Sequence, residues 1–207
     1  MSGSCAHDFD GAIAAYGEAI GRDPTSHGAF LGRGRANYQK KNFAAAIADY
    51  DAAVRLDPDD PVALAERGDA HEQAGLYDRA AEDYSLLIAI EPGNAKAWNN
   101  RCWDRAVAGH LEEALADCNQ ALRLAPDDPG ALDSRGFTYL KLGRFEQAIA
   151  DYNAALARSP RDPGSLYGRG LARLRNRDPD GGRADLVAAK ALDPGVAAEF
   201  ARYGFSE

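Results

Sequence analysis

Two cysteines, Cys102 and Cys118, share the stretch AWNNRCWDRAVAGHLEEALADCNQAL (residues 97–122) with both tryptophans of the chain, Trp98 and Trp103, and with Arg101 and Arg105. Thiols beside guanidinium groups can serve as nucleophiles, as redox partners or, joined by histidine, as zinc ligands. No histidine stands at ligand spacing from either cysteine, and His110 falls in a turn between them. A metal or catalytic role lacks the residues it needs, so no metal, no cofactor and no catalytic residue is expected. Two structural roles remain. The expectation is a pair of buried free thiols; the alternative is a disulfide, which requires Cα atoms within about 7 Å and an oxidising compartment.

A second set of residues carries charge. Arg33, Arg67, Arg101, Arg135 and Arg169 recur every 34 residues, and Asp49, Asp83, Asp117, Asp151 and Asp185 each follow one of them by 16. A free row of guanidinium groups would suit an anionic ligand, but each of these has an acid in register. Pairing every arginine with the aspartate 16 residues later leaves no charge over. Pairing each aspartate with the next arginine would strand Arg33 and Asp185. The spacing therefore predicts five ion pairs, partly buried, each inside one unit of a repeat.

The elements that position these residues are marked by proline. Pro24, Pro58, Pro92, Pro126, Pro160 and Pro194 lie 34 residues apart, a period that belongs to stacked supersecondary units. Between the marks the spacing is helical: Trp98, Arg101, Cys102 and Arg105 form one stripe, and Ala114, Cys118 and Ala121 the next. Gly75, Gly109 and Gly143 fall midway, where a helix end needs a left-handed residue. Asp60-Pro61, Asp128-Pro129 and Asp162-Pro163 supply a helix cap followed by proline at the first helical position. Each unit reads as two antiparallel helices. In this frame Cys102 stands where other units have Gly34, Gly68, Gly136 and Gly170, and Cys118 where three have Tyr50, Tyr84 and Tyr152. One helix gains a small side chain as its partner loses a ring, a volume exchange that a packed core demands.

The phrase ALDSRGFTYLKLGRFEQAIADYNAALARSP, with Leu132, Gly136, Tyr139, Gly143, Ala148, Tyr152, Ala155 and Pro160 in order, resembles the tetratricopeptide repeat family. The resemblance implies an all-α fold, a right-handed α-solenoid of antiparallel helix pairs forming a superhelix, with repeats at 27–60, 61–94, 95–128, 129–162 and 163–196. Residues 1–26 hold an N-terminal segment and a half repeat, DFDGAIAAYGEAIGRDP, that matches only a second helix. Residues 197–207 are expected to form a short helix covering the last repeat, whose turn, NRDPDGGRAD, lacks its glycine and is expected to be looser. The lone first helix should keep an uncovered apolar face near Phe9, Ile13 and Tyr16. It implies either a longer natural polypeptide upstream or self-association through that face.

The family resemblance further implies a function of protein binding, with first helices lining a concave groove. Residues beside the buried stripe become groove candidates: Leu31, Arg35 and Tyr38, then Asn99 and Trp103, Phe137 and Leu140, and Tyr167, Leu171 and Leu174. They suggest a peptide or helix of a partner as ligand, with the aromatic residues as anchors. The carboxylate clamp of chaperone-binding family members is matched only by Asn100; Ala65, Asp69, Gly130 and Ser134 occupy its other positions, so that ligand is not expected. The phrases WNNRCWDRA and AEFARYGF are similar to those of alphaproteobacterial members.

Composition narrows the classes further. Apolar residues at 45% and charged residues at 27% give a soluble balance. A net charge of −8 argues against nucleic acid, and no apolar run reaches the ~20 residues of a membrane span. No phosphate loop, zinc-protease motif or nucleophile elbow occurs, so the chain is not expected to be an enzyme. The alternative is a substrate-recruiting module of a larger enzyme. The start MSGSCAHDFD shows no export signal, which points to the cytoplasm, or to the periplasm if a signal peptide precedes it.

Overall fold

Proline, aspartate caps and left-handed residues divide the chain into helices of nearly constant length. The structure, a computed structural model, describes residues 8–206, and no strand occurs among them. They fall into two compact units, divided after Pro92.

Unit 1 contains α1 (Phe9–Arg22), α2 (His27–Gln39), α3 (Phe43–Leu56), α4 (Pro61–Gln73) and α5 (Tyr77–Ile90). Unit 2 contains α6 (Ala95–Ala108), α7 (Leu111–Leu124), α8 (Pro129–Lys141), α9 (Phe145–Arg158), α10 (Pro163–Arg175), α11 (Pro179–Leu192) and α12 (Val196–Arg202). The helix starts follow from their caps. Asp60, Asp128 and Asp162 accept hydrogen bonds from the backbone N–H groups of Val62, Ala131 and Ser165, each ahead of a proline whose missing donor costs nothing there.

The turn inside every repeat pivots on one left-handed residue: Lys41 (φ 59°), Gly75 (75°), Gly109 (100°), Gly143 (70°) and Arg177 (64°). The last repeat therefore keeps the turn of the others, and the looser turn expected from its missing glycine is not found. Arg177 takes the strained conformation instead, because three residues between α10 and α11 leave no other path.

Small residues let paired helices approach closely. Ala46, Ala53, Ala63 and Ala70 are buried in unit 1 around Tyr50, and Ala106, Ala114, Ala148 and Ala189 in unit 2 around Tyr152. Gly34 shows why the first helix needs glycine there: a Cβ on it would stand 2.6 Å from the Tyr50 ring.

The two chain ends are covered to different degrees. Phe9 and Ile13 are half-buried, and the ring of Tyr16, though partly exposed, lies directly on Gly32 of α2. The outward positions of α1 carry Asp10, Ala14, Ala15 and Glu18 beside Tyr16, which is itself exposed, and no residue of α1 is fully buried. At the other end α12 begins as a cover, with Val196 and Phe200 buried. The chain then continues past it onto the first helices of unit 2.

Candidate interaction faces

The five arginines and five aspartates meet inside their own repeats. Arg33 Nη2 lies 2.7 Å from Asp49 Oδ1, Arg67 Nη2 2.5 Å from Asp83 Oδ1, and Arg101 Nη2 2.6 Å from Asp117 Oδ1. Arg135 and Arg169 each grip Asp151 and Asp185 through Nε and Nη2, all four bonds within 2.7–2.8 Å. Such two-point geometry is the strongest form of this pair. The carboxylates are buried, and most receive a further donor from four residues beyond the arginine. Asn37 donates to Asp49, Arg105 to Asp117 and Arg173 to Asp185, and His71 Nδ1 lies 2.9 Å from Asp83. Hydrogen bonding to the Asp151 carboxylate holds the Arg135 pKa above its ordinary value against the opposing pull of burial.

Sequence reasoning missed a third partner. The remaining Nη1 of these arginines reaches back to the preceding repeat: Arg67 to Asp51 (2.9 Å), Arg135 to Asn119 (2.9 Å) and Arg169 to Asn153 (2.8 Å). One guanidinium thus ties two helices of its own repeat and one of the repeat before. The signal was present in the sequence, since Asp51, Asn119 and Asn153 share the 34-residue frame and stand 16 residues before each arginine.

Cys102 and Cys118 are joined by a disulfide with Cα atoms 5.3 Å apart, where free thiols were the expectation. Both are fully buried between α6 and α7. The bond fills the place that a glycine and a tyrosine ring share in the repeats around Gly34, Gly68 and Gly136.

The proposed groove residues separate into two groups. Leu31, Phe137, Leu140, Tyr167 and Leu171 are buried, which corrects their assignment to an open groove. Arg35 is exposed, and Tyr38, Asn99, Trp103 and Leu174 are half-buried. In unit 2 the covering element is the C-terminal segment. Phe200 lies 4.8 Å from the Tyr167 ring, Tyr203 5.4 Å from Trp103, and Phe205 5.7 Å from Phe137, measured between centroids.

In unit 1 the corresponding face is open. Arg35, Tyr38 and Gln39 of α2, Tyr50 of α3, and Glu66 and Asp69 of α4 enclose a cavity of about 290 Å³. Arg35 Nε donates to Glu66 Oε1 at 2.7 Å, and Asp69 accepts from Tyr84 Oη at 2.5 Å. Burial raises the Glu66 pKa, with Arg35 opposing it. Burial, then the charges of Asp69 and Glu72, raises that of Tyr38. With one guanidinium against two carboxylates the cavity is weakly acidic. Among the described residues no cluster of His, Cys, Asp or Glu is built to hold a metal ion, and no helix is long and apolar enough to cross a membrane.

Comparison with known proteins places this architecture. A tetratricopeptide repeat family model matches residues 6–61 and 65–129, and a second tetratricopeptide repeat model matches 105–167. The chain belongs to the tetratricopeptide repeat family. No curated protein sequence matches it. Among solved structures, a tetratricopeptide repeat protein of Parabacteroides merdae has a TM-score of 0.78 at 16% identity, over 95% of this chain and 83% of that one. A thermophilic repeat protein of Thermus thermophilus has a TM-score of 0.68 at 24% identity, over 86% and 97%. YrrB, described as a repeat protein with an unusual peptide-binding site, has a TM-score of 0.65 at 16% identity, over 94% and 100%. At these identities the likeness establishes the fold.

As an all-α tetratricopeptide repeat solenoid the chain is a protein–protein interaction module. Its five arginine–aspartate pairs are consumed in holding helices together. The first-helix faces of the two units differ: a cavity lies between α2 and α4 in unit 1, and the C-terminal segment lies on α6 and α8 in unit 2.

Proposed function

We propose that the repeat protein binds a peptide segment of a partner protein on the first-helix face of unit 1. The observation that supports this reading is the open cavity between α2 and α4, where exposed Arg35 and half-buried Tyr38 stand beside Asp69 at the edge of the unit 1 core. A tyrosine ring offers contact area with little entropy to lose, and the adjacent guanidinium and carboxylates can orient backbone amides of an extended segment. The acidic balance of the cavity favours a segment that is neutral or basic.

The test compares proteins captured by wild type, by an Arg35→Ala, Tyr38→Ala double variant, and by Leu86→Ala. Leu86 is an exposed residue of α5, a second helix, away from the cavity. A partner held by wild type and Leu86→Ala but lost by the double variant is the expected result. Equal retention by all three would remove unit 1 as the binding face.

A further inference from the structure

The covered face of unit 2 carries aromatic rings at a repeat position that is charged in unit 1. Trp103 and Phe137 occupy the same repeat position as Arg35 and Asp69. In unit 1 charged residues stand at that position, whereas in unit 2 the two rings meet each other and the C-terminal segment. Trp103 and Phe137 lie 4.7 Å apart and receive Tyr203 and Phe205 of the C-terminal segment at 5.4 and 5.7 Å.

That segment does two separable things. Val196 and Phe200, buried at 1% and 5% exposure, give α10 and α11 their cover. A cover needs no more than this. The chain nevertheless goes on through Gly204, whose φ of 91° turns it so that Phe205 lands on Phe137. Arg175, on the last turn of α10, stands 5.7 Å from the Phe205 ring and donates through Nη2 to the Ser206 carbonyl at 3.2 Å. Tyr203 and Phe205 remain only half-buried, and Arg175 is exposed. The distal part of the segment therefore packs on the edge of the unit 2 core with its rings partly in solvent, fastened by one exposed cation.

We propose that the first-helix face of unit 2 is a second peptide site, held shut by residues 203–206 of the chain itself. Its ligand is a partner segment that presents aromatic side chains in the spacing of Tyr203 and Phe205. The tail is a stand-in for that ligand. It lowers the apparent affinity for any competitor by the fraction of time it occupies the face, and its local effective concentration makes it a strong competitor despite few contacts. This site is independent of the cavity in unit 1.

The probe is a fluorescent peptide spanning residues 201–206, titrated by anisotropy into the 207-residue chain. Wild type should bind it at least tenfold more weakly than a Tyr203→Ala, Phe205→Ala variant, in which the tail has lost its rings and α12 keeps Phe200. Adding Trp103→Ala to that variant should weaken binding tenfold again, and adding Tyr38→Ala should leave it unchanged. Arg175→Ala alone, which removes the contacts to the Phe205 ring and the Ser206 carbonyl and one hydrogen bond to the Leu171 carbonyl of its own helix, should raise wild-type affinity in the same direction and carries the comparison should the double variant melt early. Equal affinity for wild type and both tail variants would show that the tail does not bar the face. Absence of binding to a variant that keeps its helical circular dichroism would show that the face is not a site. Sensitivity to Tyr38→Ala would move the peptide to unit 1. Each of these three results overturns the proposal, and none depends on whether the cavity in unit 1 has a partner.

Discussion

Arg135 holds Asp151 through two parallel hydrogen bonds, Nε to Oδ2 at 2.7 Å and Nη2 to Oδ1 at 2.8 Å, and gives Nη1 to Asn119 of the preceding repeat. The Asp151 carboxylate is buried on α9's inner face. Its desolvation is tolerable only while the guanidinium faces it.

Replacing Arg135→Met should therefore destabilise the protein by about 3–5 kcal/mol, because it strands a buried charge. Replacing both partners, Arg135→Met with Asp151→Leu, should cost less than the single change, since the charge is removed with its counter-ion. Urea unfolding followed by circular dichroism measures both. A single variant as stable as wild type would show that the pair is solvated and contributes no more than a surface bridge.

The disulfide between Cys102 and Cys118 closes a loop of 16 residues. Restricting the unfolded chain over such a loop stabilises the folded state by roughly 3 kcal/mol on the chain-entropy account. Reduction with a thiol reagent should lower the unfolding midpoint of wild type accordingly. A Cys102→Gly, Cys118→Tyr variant restores the pairing seen at Gly136 and Tyr152, where the ring sits 3.1 Å from the would-be Cβ. It should fold, and its midpoint should be the same with and without reductant. A midpoint that responds to reductant in the variant would place the redox sensitivity elsewhere.

What the sequence revealed follows from what repeats five times. The arginine–aspartate register could be read because only one pairing leaves no charge over. The backward reach to Asp51, Asn119 and Asn153 was equally periodic, but it joins a second helix to the next first helix, a neighbour the period alone does not name. The free-thiol expectation failed because spacing fixes that Cys102 and Cys118 share a repeat and not how near their Cα atoms come. Leu31, Phe137 and Leu171 were misplaced for a different reason. Position beside the buried stripe does not say what lies across from a residue, and for Phe137 the answer is Phe205, 68 positions later, delivered by a turn at Gly204. A contact that depends on where a terminal segment folds back leaves no periodic trace.

Asp133 of α8 gives a pH signature. Ser165 Oγ donates to its Oδ1 at 2.5 Å, beside a cavity of about 240 Å³ that Asp162 also lines. Burial, reinforced by the negative charges of Asp162 and Glu199 and only partly offset by Ser165, raises its pKa from 3.8 to about 7. The folded state thus binds a proton that the unfolded state has released between pH 4 and 7, so unfolding across that window sheds a proton. The stabilisation is complete below about pH 4 and is lost as pH rises through about 7. Its size is on the order of 2–4 kcal/mol. Asp133→Asn keeps an acceptor for Ser165 and cannot ionise. The difference in unfolding free energy between Asp133→Asn and wild type should therefore grow in favour of the variant from pH 4 to pH 8, while background titrations common to both cancel. Parallel stability profiles over that range would mean that Asp133 ionises as readily as a carboxylate in water and that the cavity beside it is well hydrated.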